Sequence, residues 1–438
     1  MKNTITLFAM LLIAILASSS SFSQTQIGED IDGAVAYEHT GSSVSLSSNG
    51  MRIAILSKGS EVTGSKVRLY EWDGGSWMQM GAAIYPESGF EFLGKIVSLS
   101  SDGLRVAIGV LDWDESGFDR GQVRVYEWDG VSWTQMGEDI DGEGDSDISG
   151  WSVSLSSDGS RVAIGAPFND GAGTGFSTGH VRVYEWDGGN WVQMGGDIDG
   201  EGAEDLFGSS VSLSSDGIRV AVGATEWWQI GTIEEGYVRV YEWNDGSWTQ
   251  MGEDINGKAV EDHFGSSVSL SSDGGRVAIG APGNDGNGPG SGHVRVYEWD
   301  GVSWTQMGED IDGEAAEDAS GSSVSLSSDG TRVAIGAPGN DGNGTNAGHI
   351  RVFDLTTVST ATINASSMIS VFPNPTAGKI ELFGVENGTI RIFDKIGRVI
   401  LEAENPGSEI DISDLATGVY FVQFIVDGQM ITKRIIKS

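Results

Sequence analysis

The chain runs to 438 residues with 66 glycines, 14 tryptophans, no cysteine and a formal net charge of −38. That charge excludes nucleic acid and anionic membrane surfaces as partners, because both carry repelling phosphates. The missing cysteines exclude a disulfide-held fold, and the length calls for two or three domains or a large repeat array with a tail.

Residues 1–23 read as a signal peptide. Lys2 supplies the positive end, residues 7–16 are an apolar run, and small residues follow up to Ser23. That run is too short to span a bilayer and no later stretch is long enough, so export without a transmembrane segment is expected.

Residues 24–355 are dominated by one phrase. "VSLSS" begins at Val44, Val97, Val153, Val211, Val268 and Val324, and each copy leads into Asp-Gly or Asn-Gly and a run such as "RVAIG". A variable loop and "VRVYEW" or a relative follow, and the first five copies add a final "QMG" run or similar. Repetition at this period predicts a propeller or solenoid. In the fifth unit, residues 267–271 alternate, 276–280 are apolar, 292–299 alternate again and 303–307 form a last run. Asp-Gly between alternating runs favours a hairpin, and four antiparallel strands make one blade.

The predicted fold is therefore all-β, a six-bladed β-propeller followed by a small C-terminal Ig-like β-sandwich. The sixth unit runs into a Ser/Thr-rich linker at residues 356–367 where its fourth strand is due. Residues 25–33, "TQIGEDIDG", repeat that missing tail. The expectation is that an N-terminal strand at 25–32 completes the last blade beside residues 351–353 and closes the ring, which removes a sheet edge.

The fifth unit, "FGSSVSLSSDGGRVAIGAPGNDG", resembles an FG-GAP repeat, the blade unit of the integrin α-subunit propeller. Phe264-Gly265 and Gly280-Ala281-Pro282 carry the name-giving letters. Phe207-Gly208 keep the first half, and Gly165-Ala166-Pro167 and Gly336-Ala337-Pro338 keep the second. The integrin version has seven blades, and its calcium loops lie between strands one and two, where this chain has only a short turn.

In a four-strand meander the loops between strands two and three, and between units, share one end. These are the loops that vary, so binding is expected there. Most tryptophans recur in register and read as packing; Trp113, Trp151, Trp227 and Trp228 sit in or beside variable loops. Aromatic faces beside Asp and Asn suit sugar recognition, which makes these four the ligand-binding candidates. Three loops carry Asn-Asp-Gly, so Asp170, Asp285 and Asp341 are candidate Ca²⁺ ligands, with Asp141 and Asp145 in a separate acidic loop. Asx-turns explain the same Asn-Asp-Gly letters without an ion. No catalytic residue is assigned, and HExxH does not occur.

Residues 368–438 form a different module. Pro373-Asn374-Pro375-Thr376, Gly378, Gly397-Arg398, Gly418, Tyr420 and the closing Lys433-Arg434 are similar to the C-terminal sorting domain of type IX secretion cargo in Bacteroidetes. The resemblance implies a route: the leader to the periplasm, the tail to the type IX secretion machinery, and the cargo to the cell surface or medium. The expected function is a secreted or surface binding protein for a glycan or cell-surface protein. A polysaccharide hydrolase using a carboxylate pair and a structural surface coat are the alternatives.

Overall fold

The computed structural model describes residues 28–33, 38–58, 64–87, 91–112, 120–171, 176–225, 235–342, 344–355, 370–372, 376, 378–383, 389–395, 398–404, 409–426 and 429–437. The signal peptide and linker lie outside them, and among the described residues none is helical. The chain divides into two compact units, residues 1–355 and 356–438.

Among the described residues the first unit has six antiparallel sheets, one per repeat, with the strand order of propeller blades. The fifth repeat runs Ser267–Leu270, Arg276–Ala281, His293–Trp299 and Trp304–Gln306, each strand pairing the next, with Ile311–Asp312 returning to the start of the third. The first strands of successive sheets are neighbours, so the sheets stack face to face in chain order. Alternation explains this. Val294 and Val296 point forward into the next sheet, while Val268 and Leu270 point back into the previous one, so both faces of a blade bury apolar groups.

Repeated bonds lock each interface. The amide of Leu155 donates to Ser98 Oγ at 2.9 Å, and Leu213, Leu270 and Leu326 repeat this onto Ser154, Ser212 and Ser269. A chain of backbone bonds, Ser48 to Ser101 to Ser157 to Ser215 to Ser272 to Ser328, runs through all six sheets. The recurrent tryptophans are structural as expected. Trp133, Trp191, Trp248 and Trp304 each donate Nε1 at 2.8–2.9 Å to the carbonyl of a methionine in the preceding unit.

The FG-GAP letters also have a physical meaning. Phe207 and Phe264 are fully buried. The amide of Gly265 donates to Gly280 O at 3.0 Å, and Gly265 O sits so close to Gly223 that a Cβ there would overlap it. Only glycine permits such an approach.

The opening fragment differs from expectation. Residues 28–32 of the expected strand are not a strand, and they lie on the first sheet rather than the last. Gly28 packs on Trp72 and Trp77, and Arg68 Nη1 donates to Asp32 O at 3.3 Å. The cause is the repeat itself. Gly81, Gly137, Gly195 and Gly252 sit in the same way on the tryptophan of the following unit, and Arg182 and Arg351 reach Asp141 O and Asp312 O. The fragment is thus a unit's tail docked on its successor. Residues 25–27 lie outside the described residues. Among the described residues the last sheet has three strands, Ser323–Leu326, Arg332–Ala337 and His349–Asp354, and Ile350 and Val352 on its forward face are exposed.

The second unit has two antiparallel sheets around one core. Ser370–Phe372, Lys379–Phe383 and Glu409–Asp411 make the smaller, and Val399–Glu404, Thr389–Phe393, Gly418–Val426 and Gln429–Lys437 the larger. Ile380 and Ile410 from one meet Ile390, Ile392, Val422 and Ile435 from the other. Thr376 ties the module's start to its end, its amide donating to Ile436 O at 2.9 Å and its hydroxyl to Lys379 O at 2.7 Å. Tyr420 donates its hydroxyl to Ala416 O. A side chain at Gly378 would press on Ser413 Oγ. Arg398 pairs with Asp394 at the surface. Pro373, Asn374, Pro375 and Gly397 lie outside the described residues, and Lys433 and Arg434 lie in the last strand.

Candidate functional site

Among the described residues, loops between units meet the second-to-third-strand loops of the units that follow. Asp147, Asp262 and Asp318, buried in the loops between units, accept bonds of 2.9–3.1 Å from Asn169, Asn284 and Asn340 in the second-to-third-strand loop of the next unit. In the fourth unit Tyr237, at the strand position of His180 and His293, donates its hydroxyl to Asp205 at 2.7 Å. The loops between the second and sixth units turn through left-handed residues, such as Ile148 at φ 53°, Leu206 at 52° and His263 at 53°.

Those bonds account for the Asn-Asp-Gly letters. Asn169, Asn284 and Asn340 accept the amides of Gly171, Gly286 and Gly342, an Asx-turn in each case. Asp170, Asp285 and Asp341 accept amides of Ser177, Gly290 and Asn346, so each caps its own loop in a separate unit. Asp145 is paired with Arg120 at 2.7 Å. Burial, and then the neighbouring Asp139 charge, raise the Asp141 carboxyl above its ordinary value. The structure therefore does not bring these five candidates together. Among the described residues one group of three has ligand atoms within 4.8 Å of one another, Glu143, His180 and Asp197, and it includes none of them. Arg182 Nη1 already lies 3.5 Å from that Glu143.

His180 and His293, each at the start of a third strand, are buried. Burial first, then the adjacent arginine, hold His180 and His293 down at about 4. Both are neutral at pH 7. Unfolded histidine titrates near 6.5, so the unfolded chain binds more protons between that value and about 4. Stability present above pH 6.5 should therefore be lost as pH falls through this window, by roughly 1.4 kcal/mol per pH unit for each histidine. Denaturant midpoints at pH 7 and pH 5 check this, and His293→Gln should flatten the slope.

Of the four candidate tryptophans, only Trp151 is described; Trp113, Trp227 and Trp228 lie outside the described residues. Trp151 meets Phe168 edge-on, ring centroids 5.6 Å apart and planes at 80°. Together with Pro167, Leu206, Ser209, Thr225 and Ser266 they line a cleft of about 280 Å³ formed by three successive units. Its polar groups are hydroxyls: Thr225 Oγ1 bonds Ser209 Oγ at 3.1 Å, and Ser266 Oγ donates to His263 O. Two rings and three hydroxyls make an uncharged surface that takes a flat apolar face and a few hydrogen bonds.

Phe168 escaped the sequence reading, although a signal exists. Trp151 stands where other units have Ser209, Ser266 and Ser322, and Phe168 where they have Gly283 and Gly339. A Cβ at those glycines would overlap the carbonyls of Glu261 and Glu317, so a ring there marks a loop that has been opened. Departure from register, rather than tryptophan as such, is the signal.

A second cavity, about 480 Å³, lies between the third and fourth units, lined by Glu201, Gly202, Asp205, Glu235, Tyr237, Arg239, Asp254 and Asn256. Arg239 bonds both oxygens of Asp254 at 2.7 Å and lies 3.1 Å from Glu201.

Comparison with known proteins agrees with this architecture. Residues 256–297 and 311–353 match the FG-GAP repeat, and residues 370–438 match the secretion system C-terminal sorting domain. Residues 256–353 thus carry FG-GAP repeats, and residues 370–438 are a type IX sorting domain. Its tail engages the type IX secretion machinery, which delivers it to the cell surface or the extracellular space. No helix among the described residues is long and apolar enough to cross a membrane. No curated protein matches the chain. Similar solved structures include the Dos1 propeller, 12% identical, TM-score 0.40, with 90% of this chain and 91% of that one covered. An α-L-arabinanase of Penicillium chrysogenum complexed with arabinobiose is 12% identical at TM-score 0.42, covering 72% and 94%. PorZ, a surface component of the type IX secretion system of Porphyromonas gingivalis, is 12% identical at TM-score 0.35. This chain spans 61% of its length.

Proposed function

We propose that this exported protein is a non-enzymatic binding protein that captures a surface glycan in the Trp151–Phe168 cleft. The observation that supports it is the paired departure from the repeat: two aromatic rings replace a serine and a glycine at adjacent places on the variable end. Sugar rings carry an apolar face that stacks on indole, and the hydroxyls of Ser209, Thr225 and Ser266 suit their edges. Carboxylate-pair hydrolysis is less favoured by the second cavity, where Asp254 is tied to Arg239 and Asp205 to Tyr237, and neither is free to activate water.

A glycan array, run with and without Ca²⁺, tests this with the full chain and with Trp151→Ala. The variant should fold and lose at least about tenfold in affinity, the equivalent of about 1.4 kcal/mol. Undiminished binding by Trp151→Ala removes this site from consideration. The Trp227→Ala/Trp228→Ala variant measures the contribution of two more of the unrepeated tryptophans. Release of reducing sugar from any bound polysaccharide would restore the hydrolase reading.

A further inference from the structure

The two ends of the repeat array carry matching, uncovered faces. On the first sheet Val44 and Leu46 are 59% and 57% exposed, whereas their counterparts Val153 and Leu155 are buried. On the last sheet Ile350 and Val352 are 75% and 64% exposed, whereas Val294 and Val296 are buried. At the interior interface between the fifth and sixth sheets, Val294 and Val296 form one cluster with Val324 and Leu326. The last sheet thus offers one half of this contact, and the first sheet the other.

The polar contacts match as well. Arg52, Arg105, Arg161 and Arg219 donate to a carbonyl in the Asp-Gly turn of the next unit, and Arg276 donates to Gly330 O. Arg332 is the equivalent residue on the last sheet of the repeat array. Ser152, Ser210 and Ser267 bond the carbonyls of Gly208, Gly265 and Gly321 in the next unit. Ser323 would meet Gly41 in the same way, and Gly41 has the same left-handed backbone, φ 88° against 89–92° at Gly150, Gly208, Gly265 and Gly321. Space is reserved too, since a Cβ at Gly41 meets nothing within 4 Å. The tail that a preceding unit would supply, residues 28–33, is already docked on the first sheet.

We infer that the last sheet of one copy packs on the first sheet of a second copy, continuing the array head to tail. The partner is another molecule of this chain. Closing the chain on itself would require the interior interfaces to shift, and four of the five are held by a glycine against a carbonyl and all five by a repeated backbone bond. A second copy needs no such change. A heterologous contact of this kind propagates into an open filament or closes as a multi-copy ring. Uncovered apolar faces of this kind are typical interaction sites.

The absence of cysteine makes disulfide trapping specific to introduced sites. Full-length Leu46→Cys and Val352→Cys chains are mixed and oxidised. A covalent dimer of twice the chain mass is expected in the mixture and not from either variant alone. Light scattering should show the native chain's mass rising with concentration, while Val352→Glu stays at one chain with an unchanged melting curve. A mixture that yields no covalent dimer overturns the inference. So does a Leu46→Cys/Val352→Cys double variant that is trapped only within single molecules, the result a self-closed ring gives. Glycan binding plays no part in either readout.

Discussion

Gly280→Ala is expected to unfold much of the repeat array. A Cβ there would overlap the carbonyl oxygen of Gly321, and Ser267 Oγ crowds the same point. Both neighbours are fixed: Gly321 is held by its bond to Gly336 O, and Ser267 by its bond to Gly321 O. Neither can yield without separating two sheets. Overpacking usually costs 1–3 kcal/mol, and with rigid backbone on one side about 3 kcal/mol or more is expected. Two controls isolate the cause. Gly196→Ala has no atom within 4 Å and no left-handed backbone, so it should change stability by less than about 0.5 kcal/mol. Gly336→Ala alters the same motif letter in the last unit, where a Cβ would press only on the side chain of Ser323. It should cost clearly less than Gly280→Ala. Thermal melts followed by circular dichroism would rank the three, and equal losses at Gly280 and Gly336 would mean that the crowding argument is wrong.

That contrast shows what was readable beforehand. The blades were legible because burial on both faces imposes alternation on "VRVYEW" and the turns between strands impose Asp-Gly, and both constraints are local. The sorting module was legible for the same reason, through Ile390, Ile392 and Val422 at alternate positions. The place of residues 28–32 was not. Their letters fit equally a tail paired with its own blade and a tail docked on the next, because in every interior unit one segment does both. Asp139, for example, bonds Arg124 of its own sheet, while Asp141 O two residues on accepts from Arg182 of the next. The cleft was half legible. Trp151 stood out as an unrepeated tryptophan, but Phe168 becomes meaningful only when its glycine counterparts are seen against the carbonyls they accommodate. Asp170, Asp285 and Asp341 looked like ion ligands because loop capping and cation binding select the same acid. Only the bonds made by each oxygen separate the two roles.

Arg295→Ala should be the most damaging change among the side chains. Arg295 is fully buried, lies over the ring of Phe264 at 5.5 Å, and bonds both oxygens of Asp310 at 2.9 and 3.1 Å. Truncation would leave a cavity against Phe264 and remove the main counter-charge of Asp310, with only Lys258 at 3.2 Å in its place. Breaking such a pair from one side costs about 3–5 kcal/mol. The charge carries a pH signature. Burial works to raise the Asp310 carboxyl, but the bonds from Arg295 and Gln306 outweigh it and hold the group well below the ordinary carboxylate range. A depressed folded value means the pair's contribution is fully present above about pH 4, the unfolded value, and is lost as pH falls further. The gap between native and Arg295→Ala midpoints should therefore be constant from pH 7 to about pH 5 and narrow below pH 4. Arg295→Met combined with Asp310→Asn, which removes both charges and keeps the volume, should recover part of the loss. A gap that does not change with pH, or a double variant no better than the single, would assign the damage to packing against Phe264 alone.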